Sequence, residues 1–355
     1  MKVISQINKI LPYFKKTSNI CAFKNILVVS NTGLGDTLLS TPAIMSLRRS
    51  FPDIKITFLI NKKIYPLFDG IEFVNDFILY SSGFFNQLKI IKEIKKRKID
   101  TIFLFHSNGP EDIFFSVLSR ARNIFKMTDN QNHDFHQLFI NPPNTLLQHD
   151  IEKKLDLVRL LNPTNVVNEM FIPHYFNKMH GIIEKDIHFI YIGIQMGAQE
   201  LYKMWPLENF INLAVRLNAN FKNIKFVLLG STNYENKLAD RFEKAIQIQD
   251  GVINLCGKST IKELPAILND LDLIVTNDTG TLHLSIAMRK ETVSIFGPTN
   301  PCEFGPYQDL EKHKVLTVGN SKFVKDRSED YKKLNKINGI STDMVYKVIE
   351  EWMEK

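Results

Sequence analysis

The chain has 355 residues, of which 44% are hydrophobic. This length exceeds what one hydrophobic core usually organises, so we expect two domains. The net charge is +7 and the pI is about 9.0, which favours anionic partners without naming one. No run approaches the roughly 20 apolar residues of a membrane-spanning helix, and no secretory signal is visible. The three cysteines form no CxxC pair, which favours reduced thiols and argues against a zinc site.

Two lysine-rich stretches carry much of the positive charge of the N-terminal half. They span residues 2–24 and 89–98, and both place apolar residues at helical spacing. One interpretation is a pair of surface helices with solvated lysine faces, and the other is a surface that binds anionic lipid headgroups. No basic groove with interleaved aromatic residues is present, so nucleic acid is not expected as a partner.

Short apolar runs alternate with longer amphipathic stretches, which predicts strand–helix–strand units and parallel sheets. The predicted strands of the first half are 25–30, 55–60, 73–79 and 101–105, and those of the second half are 189–195, 225–229, 252–255, 273–276 and 292–296. A closing amphipathic helix is expected to start at Ser341. Ligands of open α/β sheets bind beyond the carboxyl ends of the strands, so we expect the chemistry in loops that follow strands.

These patterns predict an α/β protein with two Rossmann-like, doubly wound domains. The segments are a basic amphipathic extension at 1–23, a first domain at 24–162, a linker at 163–185, a second domain at 186–320 and a C-terminal segment at 321–355 with the closing helix. The linker contains prolines and a glycine and shows no periodicity, which is typical of a domain boundary.

The first candidate loop, residues 31–36, follows the first strand. Gly33 and Gly35 predict a tight turn that presents Asp36. A dinucleotide fingerprint would need a third glycine where Leu38 stands, which argues against that motif. Asp36 is either the N-cap of the next helix or a general base that takes a proton from an attacking hydroxyl, and spacing alone leaves both open.

The second candidate loop, residues 197–206, follows the first strand of the second half. Pro206 suits the first position of a helix, and Trp205 is expected to pack against the domain. Lys203 precedes both residues in a loop rather than on a solvated helix face. From such a loop its ammonium group can reach a phosphate.

The run Cys-Gly-Lys-Ser at 256–259 resembles part of a phosphate-binding loop. The full motif needs a glycine where Val252 stands, so we reject that interpretation. Thr260 and Glu263 match a capping box instead, which predicts a structural helix start.

The fourth candidate, residues 275–288, is a buried strand that leads into a helix opening at Thr279 or Gly280. The free amides and the positive dipole end of that helix predict an anion site. Asp278 is expected to cap the helix and fix its amides rather than touch a phosphate. His283 is either a buried core residue or a side chain that pairs with Asp278 or donates to the ligand.

Taken in order, these segments resemble glycosyltransferase family 9, the ADP-heptose:lipopolysaccharide heptosyltransferases. The matching residues are Gly35-Asp36, Thr41-Pro42, Leu47-Arg48, Phe51-Pro52, Lys203, Trp205-Pro206, Leu255 to Gly257, Glu263-Leu264, Thr276 to His283 and Phe296 to Pro301. The resemblance covers roughly residues 24–306, and the order and spacing of the segments make it more specific than any one of them.

The resemblance implies a GT-B fold, in which two domains face a central cleft and hold the acceptor and the nucleotide sugar, respectively. It implies an inverting transfer without metal or other cofactor, from ADP-heptose to an anionic lipopolysaccharide or lipooligosaccharide core. The expected location is the cytoplasm, with peripheral contact to the inner membrane. The alternatives are a nucleotide-sugar epimerase or hydrolase of the same fold, or a non-catalytic nucleotide-binding scaffold.

The resemblance also assigns roles to residues. Asp36 becomes the catalytic base, which resolves the alternative left open by spacing, and Lys203 contacts the donor phosphates. The other implied donor-binding residues are Gly197, Ala198, Gln199, Glu235, Asp278, Thr279, Gly280 and His283, and the implied acceptor-side loop contains Thr32, Gly33 and Gly35. The loop before Lys203 departs from the family because it lacks the hydroxyl side chains that relatives tend to carry there.

Overall fold

The computed structural model describes residues 20–106, 110–127, 139–140, 148–173, 181–246, 251–318 and 337–354. Contacts within the chain divide it into two compact units, Met1–Pro173 and His174–Lys355. The extension predicted at 1–23 lies outside the described residues except for residues 20–23. The predicted domain and linker boundaries stay a prediction.

The N-terminal unit is built on a parallel sheet with the strand order β3-β2-β1-β4-β5. Its strands are β1 (Asn25–Ser30), β2 (Lys55–Asn61), β3 (Asp76–Tyr80), β4 (Thr101–His106) and β5 (Asn123–Lys126). Its helices are α1 (Leu34–Leu38), α2 (Thr41–Ser50), α3 (Tyr65–Phe68), α4 (Phe84–Lys96), α5 (Pro110–Ser119) and α6 (Asp150–Arg159). The central strands β1 and β4 are nearly continuous apolar runs that are buried along their length, as expected for a parallel sheet covered on both faces.

The C-terminal unit is built on a second parallel sheet, with the order β11-β10-β9-β6-β7-β8. Its strands are β6 (Ile190–Gln195), β7 (Ile224–Leu229), β8 (Val252–Asn254), β9 (Leu273–Asn277), β10 (Thr292–Phe296) and β11 (His313–Thr317). Its helices are α7 (Leu207–Asn220), α8 (Asn233–Ile246), α9 (Leu264–Asp270), α10 (Gly280–Ala287), α11 (Pro301–Phe304) and α12 (Thr342–Met353), with 3-10 turns at Leu201–Lys203, Leu310–Lys312 and Ile337–Gly339.

Every predicted strand is present, although the third begins at Asp76 rather than at residue 73. The sequence patterns missed β5 and β11, which lie at the edges of their sheets. β5 is only four residues long, and β11 is half-exposed, so neither has the long apolar run that marks a central strand.

Helix starts agree less well with the sequence patterns. Ser341 caps α12 as expected, because its side chain accepts a hydrogen bond from the amide of Met344. The capping-box prediction at Thr260 was wrong in position. Glu263 accepts from the Thr260 amide and hydroxyl, but this closes a turn, and α9 begins afterwards at Leu264. Pro206 is the N-cap of α7 rather than its first residue.

In each sheet, the strands that follow the first strand are added first on one side of it and then on its other side. The place where the side changes is a switch point. In the N-terminal unit this point lies between β1 and β4, and in the C-terminal unit it lies between β6 and β9. In open α/β sheets, ligands bind beside the carboxyl ends of the strands at such a switch point. The predicted residues Asp36 and Lys203 follow β1 and β6, respectively, and Asp278 follows β9.

Trp205 packs into the core of the C-terminal unit, as predicted. Its side chain is 1% exposed, and its ring nitrogen donates to the carbonyl oxygen of Ile340 at 2.7 Å. This bond ties the loop after β6 to the segment before α12. Within the described ranges, no helix combines the length and apolar character that crossing a membrane requires.

Candidate active site

Asp36 lies at the switch point of the N-terminal unit, on α1 rather than in a loop. Its carboxylate oxygen Oδ2 accepts from the hydroxyl of Thr32 at 2.6 Å and from the amide of Gly33 at 3.3 Å. Both contacts are to one oxygen, and Oδ1 has no hydrogen-bond partner among the described residues. The side chain is 30% exposed. One oxygen is therefore held in place, while the other remains available to a ligand.

The structure corrects the prediction of a glycine-dependent turn before Asp36. Gly33 has φ −85° and serves as the N-cap of α1, and Gly35 is the second residue of that helix. Neither glycine has a positive φ. The turn is short because the helix begins at Leu34, directly after three loop residues, and not because the backbone enters the left-handed region.

His106 stands beside Asp36, and the sequence patterns did not find it. It is the last residue of β4, and its backbone carbonyl accepts from the amide of Asn31 in the loop after β1. Its ring nitrogen Nε2 lies 3.5 Å from Oδ2 of Asp36. The pKa of His106 is lowered, mainly because burial disfavours the cation, while the Asp36 carboxylate opposes this shift.

A buried ion pair on α6 lies within electrostatic range of His106. Lys154 donates to Asp150 one turn earlier, and their side chains are 2% and 12% exposed. Burial raises the pKa of Asp150, but the Lys154 ammonium and His106 oppose this, and the pKa lies below its ordinary value. The N-terminal site therefore rests beside a fixed pair of opposite charges.

Lys203 and Asp278 form an ion pair at the switch point of the C-terminal unit. The Lys203 ammonium donates to Oδ2 of Asp278 at 2.8 Å, and the other oxygen lies 3.8 Å from Nε2 of His283. Lys203 is 23% exposed, whereas Asp278 is 5% exposed. The side chain of Lys203 thus bridges from its 3-10 turn to the loop after β9.

The structure corrects the role expected for Asp278. The N-cap of α10 is Thr279, which makes no side-chain capping bond, and Asp278 contacts Lys203 and His283 instead. His283 is buried, and the pairing with Asp278 that the sequence allowed is present as a 3.8 Å contact. Because no side chain caps α10, the amides at Gly280 keep their capacity to bind an anion.

Glu235 organises the loop after β7. Its Oε2 accepts from the amides of Ser231 and Thr232 at 2.8 and 2.9 Å, and its Oε1 accepts from Gln195 at 2.6 Å. A Cβ atom at Gly197 would lie 2.2 Å from Oε1 of Glu235, so only glycine fits there without a shift. The loop after β6 and the loop after β7 are therefore packed together through this carboxylate.

The loop after β6 also contains two other predicted donor-binding residues, Ala198 and Gln199. Ala198 is half-buried and Gln199 is exposed, directly before the 3-10 turn that carries Lys203. Any contact of these two positions with a ligand therefore stays a prediction.

Two further polar residues close strands of the C-terminal unit: Gln195, which the sequence patterns missed, and Asn277, which lies in the fourth candidate segment. Gln195 ends β6 and accepts from the hydroxyl of Thr281 on α10 at 3.2 Å. Asn277 ends β9, accepts from the Trp205 amide at 3.0 Å and donates to the carbonyl of Met196 at 2.8 Å. A signal was available, because each is a polar residue that closes an otherwise apolar strand, as His106 is.

No group of three or more His, Cys, Asp and Glu side chains that could hold a metal ion occurs among the residues that the structure describes. Cys256 is buried, and burial together with Glu235 and Glu243 raises its pKa to about 12. This thiol therefore belongs to the packing beneath the loops.

Comparisons with known proteins show a family domain and similar proteins. Residues 176–333 match the model of glycosyltransferase family 9 (heptosyltransferase). Lipooligosaccharide heptosyltransferase 2 of Campylobacter jejuni is 28% identical over 290 residues, which cover 78% of this chain and 82% of that protein. Lipopolysaccharide heptosyltransferase 3 of Escherichia coli K12 is 20% identical over 287 residues, which cover 78% and 83%.

Solved structures share the fold over nearly the whole chain. A family 9 glycosyltransferase from Veillonella parvula has a TM-score of 0.73 and 23% identity, covering 94% of this chain and 98% of that one. An Escherichia coli heptosyltransferase solved with ADP has a TM-score of 0.69 and 17% identity, covering 92% and 99%. These likenesses confirm the predicted GT-B fold. The chain therefore carries a glycosyltransferase family 9 (heptosyltransferase) domain over residues 176–333, is similar to heptosyltransferases over most of its length, and is a glycosyltransferase.

Proposed function

We propose that this chain transfers heptose from ADP-heptose to a hydroxyl of a lipopolysaccharide or lipooligosaccharide core, with inversion and without a metal ion. Its curated relatives are named as heptosyltransferases of these glycolipids, and similar structures were solved with ADP and with ADP-2-deoxy-2-fluoro heptose. The observation that carries the proposal is the Asp36 carboxylate, with one oxygen held and the other available to a ligand.

In the proposed reaction, Asp36 acts as the general base. Its Oδ1 takes the proton of the acceptor hydroxyl while the hydroxyl oxygen attacks the anomeric carbon of the heptose. The new glycosidic bond forms as the bond to the β-phosphate oxygen breaks, and ADP leaves with that electron pair. Attack opposite the leaving group inverts the anomeric configuration. Thr32 and Gly33 keep the carboxylate oriented through Oδ2.

The C-terminal unit supplies the donor site in this proposal. Lys203 exchanges part of its contact with Asp278 for the diphosphate, and the amides at Thr279 and Gly280 meet the charge that develops on the leaving ADP. His283 stays against Asp278 and holds it in place. Glu235, with the backbone of Gly197, Ala198 and Gln199, shapes the wall beside the nucleoside.

The direct test is transfer by the purified chain. ADP-heptose is supplied with a deacylated lipopolysaccharide core that lacks the terminal heptose, and ADP release and product mass are measured. The expected result is one ADP released for each heptose added, with no turnover of UDP, GDP or CMP sugars. Donor consumption without acceptor would favour an epimerase or hydrolase, and ADP binding without turnover would favour a scaffold.

Two finer features have their own readouts. The anomeric configuration of the product, determined by NMR, distinguishes inversion from retention. Transfer that continues at an unchanged rate after exhaustive chelation supports metal independence, and loss of activity that a single divalent ion restores would contradict it.

The proposed acceptor is a glycolipid, which lies in a membrane. We propose that the exposed face of α4 contacts anionic lipid there. Phe85 is 85% exposed and Leu88 is 45% exposed at the start of the helix. The exposed lysines of the same helix are Lys89, Lys92, Lys95 and Lys96. Exposed apolar residues next to a row of cations suit the interface of an anionic bilayer.

Sedimentation with vesicles tests this surface. Vesicles with about one third phosphatidylglycerol should pull down the chain at low salt, and the charge reversal Lys89→Glu with Lys92→Glu should release it. The matched control is Lys222→Glu with Lys225→Glu, two lysines of the C-terminal unit. Equal binding by both double variants would remove α4 from the membrane contact.

A further inference from the structure

His106 takes no part in the proposed reaction, yet it faces the carboxylate that performs it. Its Nε2 lies 3.5 Å from the Oδ2 atom of Asp36 that also binds Thr32. The imidazole is 35% exposed, so a proton can reach it from solvent. The position follows from the fold, because β4 lies next to β1 and its last residue is level with Ser30 at the end of β1.

Four charged groups act on this imidazole. The Asp36 carboxylate on α1 and the Asp150 carboxylate on α6 favour its protonation, whereas Lys154 on α6 and Lys126 at the end of β5 oppose it. Burial is the largest influence and lowers the pKa of His106 below its ordinary value of about 6.5. The ring is therefore mainly neutral at pH 7, and it gains its proton below pH 6.5.

We propose that His106 is a positioning residue that couples the basicity of Asp36 to pH: the neutral ring orients the carboxylate, and the protonated ring pairs with Oδ2 and weakens the base. This inference rests on the proposed function of Asp36. A cation within about 4–6 Å stabilises an ionised carboxylate and so reduces its tendency to take a proton. Histidine is the side chain that ordinarily changes charge between pH 5 and 8.

The consequence is an acid limb in the rate profile that belongs to His106. As pH falls through the pKa of His106, kcat/KM for transfer should fall to a lower plateau, because the protonated ring weakens the Asp36 base without removing it. The limb lies below pH 6.5 because burial and Lys154 oppose the cation. Without His106, activity should persist to a lower pH, until a carboxylate itself is protonated.

Three variants test the kinetic claim between pH 4.5 and 8. In His106→Gln, we expect kcat/KM at pH 7.5 to fall about 3- to 10-fold, the effect of one modest hydrogen bond, and the acid limb to move to lower pH. His106→Leu should lose more activity at pH 7.5 and also shift the limb. His188→Gln, at an exposed histidine of the C-terminal unit, should match the wild type.

An equal loss of activity at every pH in His106→Gln, with the limb unmoved, would overturn the inference and leave His106 a packing residue. A second readout does not need turnover. In NMR of histidine-labelled full chain, the His106 resonance should titrate at a lower pH in Asp36→Asn, because the carboxylate that favours its protonation is gone. An unchanged titration would also overturn the inference.

The two experiments separate this inference from the proposed function. If the wild type does not transfer heptose but the His106 titration responds to Asp36→Asn, the proposed reaction is wrong and the coupling of the two side chains stands. If transfer occurs and neither the rate profile nor the titration responds, the reaction stands and the role of His106 is wrong.

Discussion

In the N-terminal unit, the short helix after the first strand presents a carboxylate, whereas in the C-terminal unit the 3-10 turn after the first strand presents an ammonium group. Among the described residues, Asp36 is held through one oxygen by a hydroxyl and an amide, and Lys203 is held by the carboxylate of Asp278. Both lie at the switch point of a doubly wound parallel sheet. The comparison teaches that the fold sets the position after the first strand of each sheet, and that a few residues there decide whether the side chain at that position is a carboxylate or an ammonium group.

The largest expected effect comes from removing the proposed base of the N-terminal unit, Asp36. Asp36→Asn keeps the size of the side chain but cannot take a proton, so kcat should fall about 10²- to 10⁴-fold. The Kd for ADP, measured by calorimetry, should stay within about twofold. Weakened ADP binding would show that the two units do not divide the chemistry in this way.

Breaking the buried ion pair of the N-terminal unit should give the largest loss of stability. Lys154→Met leaves Asp150 buried without its partner, and such a change lowers the free energy of unfolding by about 3–5 kcal/mol. Urea denaturation measures it. The control in the C-terminal unit is Arg241→Ala, which removes an exposed pair with Glu208 and should change stability by less than about 1 kcal/mol. Similar losses in both variants would contradict this contrast.

Removing the cation of the C-terminal unit should affect binding rather than the proton step. Lys203→Ala should weaken ADP binding about 10- to 100-fold, the equivalent of a charge-assisted hydrogen bond of about 1.5–3 kcal/mol. The acid limb of the rate profile should stay in place because His106 is intact. Lys222→Ala, in the turn after α7, serves as the control. An ADP affinity that does not change would remove Lys203 from the donor site.

The smallest expected effect is a difference in stability between two variants, each with one glycine of one unit replaced by alanine. In Gly197→Ala, the new Cβ would lie 2.2 Å from Oε1 of Glu235, and the overpacked loop should lose about 1–3 kcal/mol of stability. In Gly33→Ala, the nearest atom is Oδ2 of Asp36 at 3.5 Å, an ordinary contact, so the loss should stay below about 0.5 kcal/mol. Thermal unfolding of both variants measures the difference. The added change Glu235→Ala should recover stability in Gly197→Ala, and failure to do so would show that the clash is not the cause.

Much of the fold could be predicted, because central parallel strands are buried on both faces and therefore appear in the sequence as unbroken apolar runs. The runs that became β1, β6 and β9 are of this kind. The edge strand β11 was not predicted, because its residues are half-exposed and do not form such a run. The sequence also did not show that Asp278 forms an ion pair instead of capping a helix. A carboxylate directly before a helix can do either, and the sequence alone does not distinguish the two.

By itself, the sequence determined the parallel α/β architecture and the resemblance to glycosyltransferase family 9, and it indicated two candidate site residues, Asp36 and Lys203, because each lies in a segment that follows the first strand of its half. Only the tertiary structure decided what those groups contact. Lys203 meets Asp278 from 75 residues away, and Gln195 meets Thr281 from 86 residues away. His106 reaches Asp36 only because β4 pairs with β1. Strand order arises from how crossover helices cover the two faces of a sheet, and that packing is a property of the folded chain that no local pattern encodes.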